Sequence, residues 1–215
     1  MGDVAMTVPV LRAFSRQYPQ VKLTIISRPF FEPFFDGIPN LDFFAFDDKK
    51  RHKGFLGLMR LFADLRKLHP DAFADLHNVL RSQVIRKLFA LSGRKTAYTD
   101  KGRAEKKTLT AAHRKAFQPL RTMVERHADT FKKLGFKINL KQPEFPQKQP
   151  LAPEIRNLTG GKTGPWIGIA PFAQYDSKAY PLDLMAQTIA LLAQTENSNR
   201  VTTARITPLR MLVSP

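Results

Sequence analysis

The residues best suited to chemistry stand at the start of the chain, where Gly2-Asp3 opens an apolar helical pattern. Glycine permits a tight backbone turn. A carboxylate at a helix start can accept orphan amide protons and favours the positive end of the helix dipole. The same carboxylate could act as a general base toward a bound hydroxyl group. Asp3 is therefore either a helix cap or a catalytic base, and its local sequence favours the cap.

Two histidines and one glycine-rich segment are further candidates for chemistry. His77 follows a predicted strand and is expected to be a turn or supporting residue, whereas His127 lies on the apolar face of its helix, as a core histidine does. Segment 159–164 contains Gly-Gly-Lys-Thr, but it precedes a strand, and a phosphate-binding P-loop must lie between a strand and a helix. No His, Asp or Glu grouping has metal-ligand spacing and the chain has no cysteine, so we predict no metal site and no disulfide.

The charge of the chain predicts an anionic partner. The net charge is +17, and residues 49–107 alone hold 16 basic and 5 acidic residues. Nucleic acid, acidic lipid and phosphorylated sugars all fit such a field. A basic α/β module that binds nucleic acid stays an alternative function, although exposed aromatic residues are not interleaved with the basic ones and no helix-turn-helix pattern is visible.

Strand and helix patterns alternate along the chain. This order is typical of a doubly wound parallel α/β fold, in which ligands bind at the carboxyl ends of the strands. The sequence contains no run of about 18 apolar residues, the pattern that predicts a membrane-spanning helix. The absence of a signal-peptide pattern and of cysteine fits a cytoplasmic protein. We predict strands at 21–27, 43–46, 71–76, 95–98 and 166–170, an aromatic helix or turn at 28–35, a mobile loop at 100–115, and helices at 4–17, 55–68, 79–91, 117–134 and 181–192.

Three segments together resemble glycosyltransferase family 9, the ADP-heptose:lipopolysaccharide heptosyltransferases and their relatives. Gly2-Asp3-Val4 with its helix resembles the family's opening motif, and Asp75-Leu-His-Asn-Val-Leu-Arg-Ser82 is similar to the family's Asp-Leu-Gln-Gly element. Lys178-Ala-Tyr-Pro181, after the predicted strand at 166–170, resembles its Lys-x-Trp-Pro motif. The resemblance runs in order over about residues 1–196.

The resemblance implies an inverting enzyme of the two-domain GT-B type, with no cofactor and no metal. Asp3 would be the catalytic base, and Lys178 would bind the diphosphate of a nucleotide-sugar donor, as ADP-heptose. Gly2, Arg81 and Ser82 would contact the acceptor, which would be Kdo-lipid A or the lipopolysaccharide core. The enzyme would be cytoplasmic and peripheral to the inner membrane, with the basic stretch 49–107 docked on the anionic membrane surface.

The resemblance also implies a division of the chain. Residues 1–138 would form a Rossmann-like acceptor domain, 139–164 a Pro-rich linker, 165–199 the start of the nucleotide-sugar-binding domain, and 200–215 an aberrant tail. The family has an apolar strand before Gly-Asp and Gly-rich segments in its second domain, and this sequence has neither. We therefore expect a chain truncated at both ends and inactive alone, unless a separately encoded donor half completes it.

Overall fold

The computed structural model describes residues 1–111, 119–146, 150–159, 169, 171–173 and 175–195. The chain divides into two compact units, Met1–Gln147 and Lys148–Pro215. Apart from Ile169 and Thr159, the predicted strand at 166–170 and the Gly-rich segment 159–164 lie outside the described residues, as does the tail 200–215.

The first unit alternates strands and helices as the sequence predicts. The strands are β1 Leu23–Ser27, β2 Leu41–Ala45, β3 Ala72–Asp75 and β4 Lys95–Tyr98, and a 3₁₀-helix spans Pro29–Phe35. The helices are α1 Gly2–Ala5, α2 Val8–Gln17, α3 Gly54–Arg66, α4 Leu80–Leu91, α5 Arg103–Leu109 and α6 Met123–Lys133. Every strand is within a few residues of its predicted position.

The strands of the first unit pair in parallel. β1 pairs with β2, with Leu23 opposite Leu41, and β3 pairs with β4, with Ala72 opposite Lys95. Among the described residues these pairs form two two-stranded sheets rather than one continuous sheet. Parallel strands need crossover connections, and the sequence supplies them with the 3₁₀-helix between β1 and β2 and with α4 between β3 and β4.

Helices cover both faces of these sheets. Successive strand residues point to opposite faces, and neighbours in β1 and β2 indeed join different cores: Ile25 packs into one core and Ile26 into the other. The first core is built on Leu11 and Phe14 of α2 with Phe131 of α6. The second core is built from side chains of α3 and α4: Leu61, Leu65, Ile85 and Phe89. The predicted parallel α/β architecture is confirmed.

The opening helix differs from its prediction because it is interrupted. α1 ends at Ala5, and α2 begins at Val8 with Pro9 in its first turn. Proline has no backbone N–H and cannot continue the hydrogen-bond ladder of the preceding turn. Thr7 occupies the junction, where its hydroxyl donates to the carbonyl of Val4 at 2.7 Å.

The predicted mobile loop at 100–115 is also wrong in part, because α5 occupies Arg103–Leu109. Its stability comes from the distant helix α6. The guanidinium of Arg126, which is buried, donates to Glu105 at 2.5 Å and to the carbonyl of Asp100 at 3.4 Å. Gly102 precedes α5 in the left-handed region, with a φ of 61°, which glycine adopts without strain.

The second unit contains two described α-helices, α7 Pro153–Thr159 and α8 Leu182–Thr195, with a 3₁₀ turn at Asp176–Lys178. α8 follows Pro181 as predicted. α7 lies inside the segment predicted to be a linker, so that segment is partly helical. Within the described residues, no helix has the length and apolar character needed to cross a bilayer.

Candidate active site

The carboxyl ends of the strands carry the residues that the sequence singles out. Asp3 lies in the first turn of α1, which contacts the 3₁₀-helix that follows β1. Met1 is the N-cap residue of α1 and makes no side-chain cap hydrogen bond. The Asp3 side chain is 79% exposed, so its carboxylate is presented to solvent at this edge.

A buried carboxylate shapes the turn after β3. Asp75 is 2% exposed, and its Oδ1 accepts the backbone N–H groups of His77 at 3.2 Å and Asn78 at 2.6 Å. Asn78 adopts a φ of 45° and donates from its side chain to the carbonyl of Thr99 at 3.0 Å. This network joins the ends of β3 and β4 and holds the backbone of His77 in the turn. The sequence marked Asp75 only as part of a motif.

The turn brings His77 to the candidate base. The Nε2 atom of His77 lies 3.7 Å from the Oδ2 atom of Asp3, although 74 positions separate them in the chain. Gly2 is helical, and a Cβ atom there would meet nothing within 4 Å. The expectation that Gly2 makes a tight turn is therefore wrong, and its predicted role in acceptor binding stays a prediction.

His127 lies behind this edge and is buried, as the apolar face of its helix predicts. Its Nδ1 lies 3.1 Å from the Thr99 hydroxyl, which lies 2.8 Å from the Thr130 hydroxyl, and Thr130 donates to the carbonyl of Arg126 at 3.1 Å. The Nδ1–H group therefore donates to the Thr99 hydroxyl, which donates to the Thr130 hydroxyl, and the series ends at the carbonyl of Arg126. The Nε2 atom is buried without a hydrogen-bond partner among the described residues.

The charge state of His127 follows from this burial. Desolvation lowers the pKa of His127 to about 4, the nearby Asp3 carboxylate opposes that shift, and the Lys101 ammonium adds to it. His127 is therefore neutral at pH 7.

Arg81 and Ser82 begin α4 at the same edge. The Ser82 hydroxyl lies 3.0 Å from both the N–H and the carbonyl of Val79, so it caps the helix. The Arg81 guanidinium lies over the Phe46 ring at 5.2 Å and 3.6 Å from Asp48. Both side chains thus have structural partners, and their predicted contacts with the acceptor stay predictions.

The loop at 46–53, between β2 and α3, is basic and makes contacts within itself and with α3. Backbone N–H groups, that of Lys50 foremost, lower the pKa of Asp47. A two-pronged contact from Arg51 lowers the pKa of Asp64. The His52 ring is buried and stacks on Phe46 at an interplanar angle of 6°. The sequence did not single out this packing.

The second unit holds the predicted donor residue. Lys178 ends the 3₁₀ turn, is exposed, and has its ammonium 5.4 Å from the centre of the Tyr175 ring. The ammonium is thus available to an anion. In the part of the chain that the structure describes, no three His, Asp or Glu side chains form a group that could hold a metal ion.

Comparisons with known proteins agree with this architecture. The model of glycosyltransferase family 9 (heptosyltransferase) matches residues 58–202. The crystal structure of a family 9 glycosyl transferase from Veillonella parvula DSM 2008 is similar at a TM-score of 0.63 and 18% identity, over 91% of this chain and 58% of that chain. No curated protein matches significantly. The chain thus spans little more than half of that relative. Because the family model matches more than half of the chain, the chain belongs to glycosyltransferase family 9.

Proposed function

We propose that this chain is part of an inverting glycosyltransferase that moves a heptose or a related sugar from a nucleotide-sugar onto the lipopolysaccharide inner core. The observation that carries the proposal is the position of Asp3. Its carboxylate is exposed at the carboxyl edge of the strands, where ligands bind in open α/β folds. Membership of the family supports the reaction class.

In this reaction Asp3 removes the proton from an acceptor hydroxyl. The oxygen then attacks the anomeric carbon of the donor sugar, and the bond to the nucleoside diphosphate breaks with inversion. A general base must lie within hydrogen-bond reach of its proton, and an exposed carboxylate leaves room for an acceptor. His77, 3.7 Å from Asp3, is placed to orient this carboxylate.

The remaining roles belong to Lys178, Arg81 and Ser82. Lys178 would stabilise the charge that develops on the departing diphosphate, which an ammonium group does electrostatically. Arg81 and Ser82 would contact an anionic acceptor. The net charge of +17 favours such an acceptor and an anionic membrane surface.

The test is transfer from ADP-heptose to Kdo-lipid A, measured with the 215-residue chain and with the protein expressed together with its flanking coding sequence. Removing a general base costs about 100-fold or more in turnover, so Asp3→Asn should lower kcat by that factor. Asp42→Asn is the matched control, because Asp42 is an exposed carboxylate near the amino end of β2 that pairs with Lys22 at 2.8 Å. Normal transfer by the Asp3→Asn protein would refute the proposal.

A further inference from the structure

Four large apolar side chains are exposed at the carboxyl ends of the strands. Their exposed fractions are 70% for Phe30, 69% for Phe55, 71% for Leu56 and 79% for Leu80. Phe30 follows β1, Phe55 and Leu56 begin α3 after β2, and Leu80 begins α4 after β3. We call these four residues the apolar rim. Single exposed apolar residues are common, but several at one edge mark an interaction surface.

Ion pairs hold the three segments of the rim together. The Asp48 carboxylate lies 2.5 Å from Arg28 and 3.6 Å from Arg81. Phe30 is two residues from Arg28, and Leu80 is the neighbour of Arg81, so both lie within about 7 Å of these arginines along the chain. The base of α3 joins the same cluster, because His52 stacks on the Phe46 ring that Arg81 also covers.

The rim is flanked by exposed lysines. Lys49, Lys50 and Lys53 are exposed, and within the described ranges none of them lies at ion-pair distance from an acidic side chain. They differ in this from Arg28 and Arg81, which share Asp48. Lysine stems lie along apolar surfaces while the ammonium reaches polar groups. The surface therefore combines apolar tips with unpaired positive charge.

This combination matches one class of partner. An anionic bilayer offers phosphate headgroups to the lysines and an apolar boundary to the phenylalanines and leucines. A second copy of this chain would bring another net charge of +17, which opposes self-association through this surface. A nucleic acid would satisfy the lysines but would leave the apolar rim in water.

We propose that the apolar rim, with Lys49, Lys50 and Lys53, docks the protein on an anionic phospholipid bilayer by inserting Phe30, Phe55, Leu56 and Leu80 at the headgroup boundary. The orientation rests on the proposed function, because a lipid-anchored acceptor must meet Asp3 at this same edge. Docking itself needs neither donor nor acceptor. The proposal goes beyond attraction by charge alone, because it requires apolar side chains to enter the bilayer.

The experiment is flotation of the 215-residue chain with phosphatidylglycerol-containing vesicles and with pure phosphatidylcholine vesicles. Each buried side chain of this size contributes enough transfer free energy for about a tenfold change in partitioning. Phe55→Ser/Leu56→Ser and Leu80→Ser should therefore each lower the partition coefficient on phosphatidylglycerol vesicles by about tenfold or more. Replacing Lys49, Lys50 and Lys53 by Gln should also lower it and flatten its dependence on salt.

The matched control is Leu91→Ser. Leu91 is 86% exposed and ends the same helix that Leu80 begins, about 16 Å away along its axis. Binding should be unchanged in Leu91→Ser. Equal losses in Leu80→Ser and Leu91→Ser, or unchanged binding in Phe55→Ser/Leu56→Ser, would overturn the proposal. The proposal would also be overturned if the wild type formed dimers in the absence of vesicles and the Phe55→Ser/Leu56→Ser variant stayed monomeric. Because no sugar is present, failed docking and failed glycosyl transfer are separate results.

Discussion

Acid should destabilise the first unit through one buried side chain, His127. The folded-state pKa of His127 is about 4, and a histidine in an unfolded chain titrates near about 6.5. Between these values the unfolded state binds more protons, so stability rises with pH across the window and falls as pH drops from about 6.5 toward 4. The free energy of unfolding should fall by about 2 kcal/mol from about pH 7 to pH 5, and by about 3 kcal/mol from about pH 7 to pH 4.

The structure explains why the proton is costly. Nδ1–H already donates toward the Thr99 hydroxyl, so a second proton must go to Nε2. That atom is buried and has no partner among the described residues. Protonation would thus place a positive charge in a desolvated site, with the Lys101 ammonium also opposing it and only Asp3 favouring it. Asp64 and Asp129 keep lowered pKa values and stay ionised above about pH 5, so they do not contribute in this window.

Urea unfolding at several pH values measures this effect. His127→Asn keeps an amide that can donate to Thr99 but cannot titrate, so its unfolding free energy should lose the slope that wild type shows between about pH 7 and pH 5. The comparison uses slopes, and the lower absolute stability of the variant does not matter. NMR titration of the His127 ring in the wild type is an independent readout. Equal slopes in both proteins, or a ring that titrates near about pH 6.5, would refute the reasoning.

Two further substitutions test the packing that holds the edge. In Gly57→Ala the new Cβ would lie 2.2 Å from the backbone carbonyl carbon of His52, so the free energy of unfolding measured in urea should fall by about 1–3 kcal/mol. Gly2→Ala is the control, because the space at its Cβ is open. A loss in Gly57→Ala no larger than the loss in Gly2→Ala would contradict the clash. Glu105→Gln removes the charge that faces buried Arg126, which should cost about 1–2 kcal/mol and reduce the far-UV helical signal of α5; an unchanged midpoint would show that the carbonyl of Asp100, together with that of Arg121, which accepts from the Arg126 Nε–H at 3.3 Å, suffices for the guanidinium.

The strands could be predicted from the sequence because their information is local. β1 and β2 are short apolar runs with β-branched or aromatic residues, which favour strands in any fold. The Thr122–Glu125 capping box marks the start of α6 at Met123, but the predicted helix at 117–134 began too early because it followed the apolar pattern alone. The other failures were non-local. α5 has no apolar periodicity and is held by Arg126 of α6, 21 positions beyond Glu105.

The candidate site could be predicted only as separate pieces. A carboxylate after Gly2 and a histidine after β3 are visible in the sequence, but their 3.7 Å approach depends on how α1 packs beside the end of β3. The role of Asp48 was missed for the same reason, because it joins Arg28 and Arg81, which are distant in the chain. Asp75 is different: its carboxylate accepts the backbone N–H groups of His77 and Asn78 in a local turn, which an aspartate in a turn can indicate in the sequence.

The charge of this edge separates into two parts with different consequences. Arg28 and Arg81 share Asp48, and Arg51 pairs with Asp64, so these three cations hold loops together and two carboxylates offset part of their charge. Lys49, Lys50 and Lys53 have no such partner among the described residues. Beyond a Debye length of about 8 Å only unneutralised charge is felt. The count of basic residues therefore overstates the attraction of an anionic surface, and Lys49, Lys50 and Lys53 are the cations of this loop that have no acidic side chain at ion-pair distance among the described residues.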